Sequence, residues 1–202
     1  MKKVLVGLGL GLMMLSSSGF AGGDVDKGKT LSGVCAACHG GDGNSANPTW
    51  PKLAGQTQPY LVKQLKNFKE GERKNPLMSP MAAGLSDQDM ADLAAYFSAQ
   101  KVTNGTVSDP ELVATGEHLY RGGNAKTGLP ACIACHGPAG RGMSAAGFPA
   151  IRGQHGAYTT STLKAFKTGQ RTNDLNSMMQ DVATKASDAE IKALAAYLEV
   201  LK

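Results

Sequence analysis

The sequence predicts an all-α protein built from two similar domains in tandem. Much of the chain occurs twice at a nearly constant offset, apolar residues in both copies follow a helical spacing, and no segment alternates with a strand period for long enough to build a sheet. With 202 residues, 42% of them hydrophobic and 18% charged, the chain is globular rather than disordered or collagen-like. Only 5% of the residues are aromatic, so some other group is needed to fill the two cores.

The N-terminus has the pattern of a secretory signal peptide. Lys2 and Lys3 precede an apolar run over residues 4–15, and small residues lead to a cleavage site near Ala21. As a helix this run would rise about 18 Å, which is less than a hydrocarbon core of about 30 Å, so cleavage is favoured over an uncleaved anchor. We therefore expect removal of residues 1–21 and export by a Sec-type route. Its formal charge of +5 is not clustered, so nucleic acid is not an expected partner.

The remaining chain divides into two copies of one module. A Pro-x-Leu/Ile-x-Gly-Gln loop begins at Pro51 and recurs 98 residues later at Pro149. Residues 101–110 between the copies have the composition of a linker. We predict an N-terminal domain over residues 22–103 and a C-terminal domain over residues 104–202.

Each copy is predicted to contain two amphipathic helices after its loop. Gly71 and Gly169 are expected to end the first helix, and capping boxes at Ser86 and Ser187 are expected to begin the second. The second copy also has an insertion at residues 122–130, just before its cysteines. The matching apolar positions are Leu61, Leu65 and Phe68 with Thr159, Leu163 and Phe166, and then Met90, Leu93, Ala94 and Phe97 with Ile191, Leu194, Ala195 and Leu198.

Both copies contain a C-x-x-C-H motif, and together the two motifs use all four cysteines of the chain. The motif residues are Cys35, Cys38 and His39 in the first copy, and Cys132, Cys135 and His136 in the second. Two thiols at this spacing can add to the vinyl groups of a haem, with the histidine bound to the iron. We therefore predict two covalently attached haem c groups, which would also fill domains too small to bury much apolar surface.

Three other uses of the cysteines explain less of the pattern. A pair of disulfides leaves both histidines without a role, and a zinc site would require the two modules to pool their ligands. A thioredoxin-like redox pair is expected in a strand-helix-strand context, which the sequence lacks.

The sixth ligand of each iron decides between electron transfer and an open, reactive iron. The methionine candidates are Met78, Met81, Met90, Met143, Met178 and Met179. Met78 and Met179 each lie eight residues before a capping serine, so the repeat predicts them as the axial ligands and the other four as packing or loop residues. The carbonyls of Pro51 and Pro149 are candidates to accept a hydrogen bond from the ligating histidine.

The remaining histidines and the lysines have less specific interpretations. His118 is predicted to be solvated, whereas His155 takes the position of Thr57 in the other copy and is a candidate for a contact between the domains. The helical lysines are interpreted as a solvated face in preference to a docking face for an acidic partner. They are Lys63, Lys66, Lys69, Lys164 and Lys167.

These motifs together resemble the dihaem cytochrome c4 family over nearly the whole chain after the signal. The segment Arg171-Thr172-Asn173-Asp174 is similar to the C-terminal half of that family. The resemblance implies two class I cytochrome c domains whose haems face each other. It also implies the iron ligands, which are His39 and Met78 in one domain and His136 and Met179 in the other. Ala186 and the pair Asn75-Pro76 depart from the family pattern without removing a ligand.

The same resemblance implies a periplasmic electron carrier, soluble or peripherally attached to a membrane. Its expected redox partners are a quinol-oxidising bc-type complex as donor and terminal oxidases as acceptors, and no catalytic residues are predicted. Two alternatives stay open: a dihaem peroxidase, which needs an iron position open to substrate, and a haem subunit of a larger oxidoreductase complex.

Overall fold

The computed structural model describes residues 22–107 and 109–202, so the predicted signal peptide lies outside the described residues. The N-terminal copy forms helices α1 (Val25–Leu31), α2 (Gly33–His39), α3 (Gln58–Glu70), α4 (Met78–Ala83) and α5 (Asp87–Ala99). The C-terminal copy forms α6 (Pro110–Gly122), α7 (Ile133–His136), α8 (Gly156–Lys167), α9 (Met178–Thr184) and α10 (Asp188–Val200). Two isolated β-bridges are the only β-type pairings in these ranges, and one of them, Asn124 with Leu129, closes the predicted insertion. The all-α prediction is confirmed.

The helix ends follow the signals expected from the sequence. α5 and α10 begin at complete capping boxes, in which Ser86 pairs with Asp89 and Ser187 pairs with Glu190. α3 ends at Gly71, whose φ of 80° lies in the left-handed region that favours glycine. These local signals bound α3, α5 and α10, whereas α8 ends at Lys167 with Thr168 as its C-cap, two residues before the predicted Gly169.

Each domain also has an N-terminal helix that crosses its last helix at very short range. A Cβ atom on Gly28 of α1 would lie 2.0 Å from the backbone oxygen of Asp92 in α5. A Cβ on Gly116 of α6 would likewise lie 2.0 Å from the backbone oxygen of Ala193 in α10. Both crossings therefore depend on the absence of a side chain, and the helix α1 was not anticipated from the sequence.

The cores form between these crossing helices and the apolar faces predicted for α3, α5, α8 and α10. Met90 and Ile191, at matching positions, are completely buried. Leu93 and Phe97 belong to the N-terminal core, and Leu194 belongs to the C-terminal one. Both amphipathic patterns therefore face inward as predicted. None of the helices in the described part of the chain combines the length and apolar character that a membrane span needs.

The segment between the domains is extended but anchored to both of them. The backbone N–H of Thr103 donates to Oδ1 of Asn44 at 2.8 Å, and the ammonium group of Lys52 donates to the carbonyl of Thr103. On the other side, the N–H of Gly105 donates to the carbonyl of Glu199 at 2.8 Å. The predicted linker is thus part of the packed structure and contacts both domains.

Candidate functional site

The two motif histidines end matching helices and turn inward. His39 is the last residue of α2 and His136 the last of α7, and both side chains are buried. The next residue is a glycine with positive φ in each case, 80° at Gly40 and 76° at Gly137. This conformation lets the chain leave the helix directly after the histidine.

Each buried histidine donates a hydrogen bond to the proline carbonyl predicted from the sequence. The distance from Nδ1 of His39 to the oxygen of Pro51 is 2.8 Å, and the distance from Nδ1 of His136 to the oxygen of Pro149 is 2.9 Å. Because a carbonyl can only accept, the proton lies on Nδ1 and Nε2 keeps its lone pair. Burial lowers the pKa of both imidazoles, an effect that the carbonyl partly offsets, so the neutral form that binds metals is favoured.

The four cysteines are free, partly buried thiols beside these histidines. Burial raises the pKa of the Cys132 thiol to about 11, and burial together with Cys38 raises the pKa of Cys35. A redox-active pair of the thioredoxin type needs a lowered thiol pKa, so this environment is the opposite of what that alternative requires.

Met78 and Met179 occupy equivalent positions in the structure as well as in the sequence. The backbone N–H of Met78 donates to the side chain of Asn75 at 2.9 Å, and that of Met179 donates to the side chain of Asp174 at 2.8 Å. Four residues after each methionine comes a buried alanine, Ala82 or Ala183, and both methionine side chains are partly buried. Their ligation of iron stays a prediction that this equivalence supports.

The other methionine candidates have different surroundings. Met90 packs in the core, as the repeat predicts, and Met143 is an exposed loop residue. Met81 and Met178 were expected to pack or to lie in loops, but they lie in α4 and α9 with exposed fractions of 46% and 36%. Each of these short helices has a solvent-exposed side, on which Met81 lies in α4 and Met178 lies in α9.

The two remaining histidines have the different surroundings that the sequence suggested. His118 is exposed on α6. Nε2 of His155 lies 2.9 Å from Oγ of Ser45 and 2.8 Å from the Ser45 carbonyl, so His155 makes a contact between the two domains.

An aromatic and guanidinium cluster at the domain contact was not anticipated from the sequence. Arg73 lies over the ring of Phe68 in its own domain and donates to the hydroxyl of Tyr158 in the other, at 3.0 Å. Arg171 makes the reciprocal pair of contacts, with Phe166 in its own domain and with the hydroxyl of Tyr60 at 2.9 Å. The signal that could have found these residues is the offset of 98 shared by both arginines and both tyrosines.

The donor set of each domain fits a covalent haem. Two free thiols stand beside a neutral histidine, and Nε2 of that histidine has no hydrogen-bond partner among residues 22–107 and 109–202. Neither Arg73 nor Arg171 forms an ion pair with a carboxylate within the same ranges, although Arg171 is 8% exposed. The buried guanidinium group of Arg171, without a carboxylate partner in these ranges, suits a propionate group of haem.

Comparison with known proteins points to one family. The sequence model of the family described as Cytochrome c matches residues 25–101 and 113–202. Cytochrome c4 of Pseudomonas aeruginosa is 47% identical over 204 residues, which cover 100% of both chains. The crystal structure of reduced recombinant cytochrome c4 from Pseudomonas stutzeri superposes with a TM-score of 0.86 at 47% identity, covering 89% of this chain and 100% of that one. A thiosulfate dehydrogenase electron acceptor of Stutzerimonas stutzeri is 40% identical over 167 residues, which cover 81% of this chain and 77% of the relative.

Proposed function

The chain belongs to the cytochrome c4 family, and from this premise we propose how its residues hold the two haems and which partners it serves. As a member of the family it is a dihaem c-type cytochrome with two covalently attached haem c groups, and it carries electrons. Each haem, when bound, supplies an iron that changes between the ferrous and ferric states by one electron.

The proposed ligands are His39 with Met78 in the N-terminal domain and His136 with Met179 in the C-terminal domain. The thioether bonds are assigned to the paired cysteines of the motifs, which are Cys35, Cys38, Cys132 and Cys135. The histidines are oriented by the proline carbonyls, and the backbone next to each methionine is held by Asn75 or Asp174. A ligand pair held in this way would keep the structural change on electron transfer small.

The observation that carries the proposed role is the equivalence of the two sites. The buried histidine and the methionine at matching positions of the two domains support a six-coordinate iron in each, with no position left for a substrate. A dihaem peroxidase needs an iron position that is open to substrate, together with groups that handle protons. We therefore propose an electron carrier without a catalytic site of its own.

Carbon monoxide binding and one spectrum test this proposal. The oxidised protein is expected to show the weak absorption near the red edge that reports sulfur ligation, with an intensity that corresponds to two irons. Neither reduced haem should bind carbon monoxide appreciably at neutral pH. Rapid stoichiometric binding to one haem would instead support the peroxidase.

For the redox partners we propose a quinol-oxidising bc-type complex as donor and terminal oxidases as acceptors, in the periplasm after signal cleavage near Ala21. The location is tested by N-terminal sequencing of the protein released by osmotic shock, which should begin near Gly22. The partner assignment is tested by the rate at which the purified bc-type complex reduces the protein and the rate at which terminal-oxidase membranes oxidise it. A protein that exchanges electrons with neither would contradict the assignment.

A second candidate function is supported by one comparison, the similarity to a thiosulfate dehydrogenase electron acceptor. In that role the chain would take electrons from a dehydrogenase partner and act as its haem subunit. Parallel stopped-flow reductions with the bc-type complex and with a thiosulfate dehydrogenase plus thiosulfate separate the two candidates. At matched concentrations, the physiological donor should be the one that reduces the protein faster.

A further inference from the structure

Two glutamines from the repeated loops reach across the domain contact in a reciprocal arrangement. Gln154 of the C-terminal domain accepts from the N–H of Lys52 at 2.9 Å and donates to the Lys52 carbonyl at 3.0 Å. Gln56 of the N-terminal domain accepts from the N–H of Ala150 and donates to the Ala150 carbonyl, both at 2.8 Å. Each glutamine thus uses Oε1 and Nε2 of its amide to bind the backbone N–H and the backbone carbonyl of one residue in the opposite domain.

The peptide group whose N–H donates to the glutamine also contains the proline carbonyl that accepts from the motif histidine. The N–H of Lys52 and the carbonyl of Pro51 belong to one planar peptide unit, and that carbonyl accepts from Nδ1 of His39. The N–H of Ala150 and the carbonyl of Pro149 form the equivalent unit for His136. A continuous hydrogen-bond chain therefore runs from each glutamine, through one peptide group, to the histidine of the other domain.

The orientation of the glutamine amides is determined by their partners. Oε1 of Gln56 also accepts from the N–H of Thr57 at 2.9 Å, and Oε1 of Gln154 accepts from the N–H of His155 at 3.0 Å. Each oxygen thus faces two N–H donors while each Nε2 faces a carbonyl, and the reversed amide would place like groups together.

Hydrogen bonds in such a chain strengthen one another. An acceptor on the N–H of a peptide polarises its carbonyl, so the carbonyl accepts more strongly from the imidazole. A histidine whose Nδ1 proton is drawn more strongly toward an acceptor is a more basic ligand, which favours ferric over ferrous iron. Removing the glutamine should therefore raise the reduction potential of the haem in the opposite domain.

We propose that Gln56 and Gln154 are positioning residues that act across the domain contact: Gln56 tunes the haem bound by His136, and Gln154 tunes the haem bound by His39. This inference rests on the proposed ligation by those histidines. Docking of the domains is thereby one determinant of each reduction potential. Through this hydrogen-bond chain, neither glutamine acts on the haem of its own domain.

The test uses the holoprotein with Gln56→Leu and Gln154→Leu, each uncharged and close in volume. The readouts are the two reduction potentials, followed for each haem by NMR during a redox titration, and the Nδ1 proton resonances of the two histidines in the reduced state. Gln56→Leu should raise the potential of the His136 haem and shift the His136 proton to lower frequency, leaving His39 unchanged. Gln154→Leu should give the mirror-image result.

A matched control removes a different bond between the domains. Asn67 accepts from the side chain of Asn173 at 2.8 Å without touching either proline loop, so Asn67→Ala should shift neither histidine selectively. Gln56→Glu keeps an acceptor for the N–H of Ala150. The Nδ1 proton resonance of His136 should therefore stay at its native frequency or move to higher frequency, opposite to the shift in Gln56→Leu.

Several results would overturn the proposal. In the glutamine variants, these are a shift of reduction potential only at the haem of the mutated domain, equal shifts at both haems, or no shift at either. In Asn67→Ala, the contradicting result is a shift only at the haem of the opposite domain. Failure of the histidine ligation is a separate result, because His39→Ala and His136→Ala would then leave the low-spin haem spectrum of the native protein unchanged.

Discussion

At the residue scale, the choice between two adjacent methionines decides the ligand set of the C-terminal haem. Met179 shares with Met78 a backbone hydrogen bond to a nearby polar side chain and a buried alanine four residues later. Met178 corresponds to Leu77, and these two side chains are 36% and 63% exposed. An exposed side chain is poorly placed to reach an iron that would be bound by the buried His136.

Met179→Ala should remove sulfur ligation from the C-terminal haem, because no equivalent thioether replaces it. We expect loss of half of the red-edge absorption, a lower potential for that haem and binding of carbon monoxide to it alone. Met178→Leu, a swap of similar volume at an exposed position, should cost less than about 1.5 kcal/mol and keep the native spectrum. The reverse pattern in the two variants would show that Met178 is the ligand.

At the element scale, the crossings of the N-terminal and last helices are tightly constrained contacts in each domain. Gly28 and Gly116 allow backbones to approach where a methyl group would overlap a carbonyl oxygen. Such an overlap cannot be relieved by rotating a side chain, so one of the helices must move.

Gly116→Ala should therefore destabilise the C-terminal domain by about 1–3 kcal/mol or more, because the added methyl group overpacks a backbone crossing. The measurement is guanidinium unfolding followed by circular dichroism. Gly122→Ala is the control, since Gly122 is also in α6 and a Cβ there meets nothing within 4 Å. It should change stability by less than about 1 kcal/mol, toward higher stability. Equal losses in both variants would contradict the crossing as the cause.

The two capping boxes predict a loss of stability in acid. Hydrogen bonds from Ser86 lower the pKa of Asp89, and hydrogen bonds from Asn124 and Ser187 lower the pKa of Glu190. A carboxyl group with a lowered pKa in the folded state stabilises above its ordinary pKa of about 4, and this contribution is lost as the pH falls through the folded value. The stability difference between the native protein and Asp89→Asn or Glu190→Gln should thus shrink as the pH falls from about 5 through the lowered pKa of each carboxyl group. A pH-independent difference would mean that the carboxylate charge does not contribute.

At the scale of the whole molecule, the domains are held by side chains as well as by the connecting segment. The glutamine bonds, the reciprocal arginine-tyrosine pairs and the Ser45–His155 contact all join residues about 100 positions apart. The connecting segment adds bonds to both domains through Thr103 and Gly105.

Cleavage between the domains should therefore leave them associated. A specific protease site inserted between Thr106 and Val107 allows the holoprotein to be cut after folding. The nicked protein should elute at the size of the intact one in gel filtration and keep both native potentials. Elution as two half-size species would show that the covalent connection, and not the contact, holds the domains together.

Separately expressed domains should behave differently from the nicked protein. Each lacks the glutamine of its partner, so both potentials should rise and then return toward the native values when the two halves are mixed. Potentials unchanged on separation would contradict coupling between the sites. This experiment also tests the predicted boundary between residues 103 and 104, because both halves must fold.

The sequence alone determined the features that are written in local spacing. The two C-x-x-C-H motifs, the capping serines and the apolar faces of α3, α5, α8 and α10 each span a few turns of helix, and the duplication reinforced every one of them. The carbonyls of Pro51 and Pro149 could also be anticipated, because each lies within one loop of its histidine.

Only the tertiary structure decided which residues meet across the domains. Gln56 and Gln154 were visible in the sequence as repeated loop residues, but their partners lie 94 and 102 positions away. The close approach at Gly28 and the anchoring of Thr103 likewise depend on how whole helices and domains pack. Periodicity and capping describe the free energy of a segment by itself, whereas these contacts arise from the mutual orientation of two folded bodies, which no local pattern encodes.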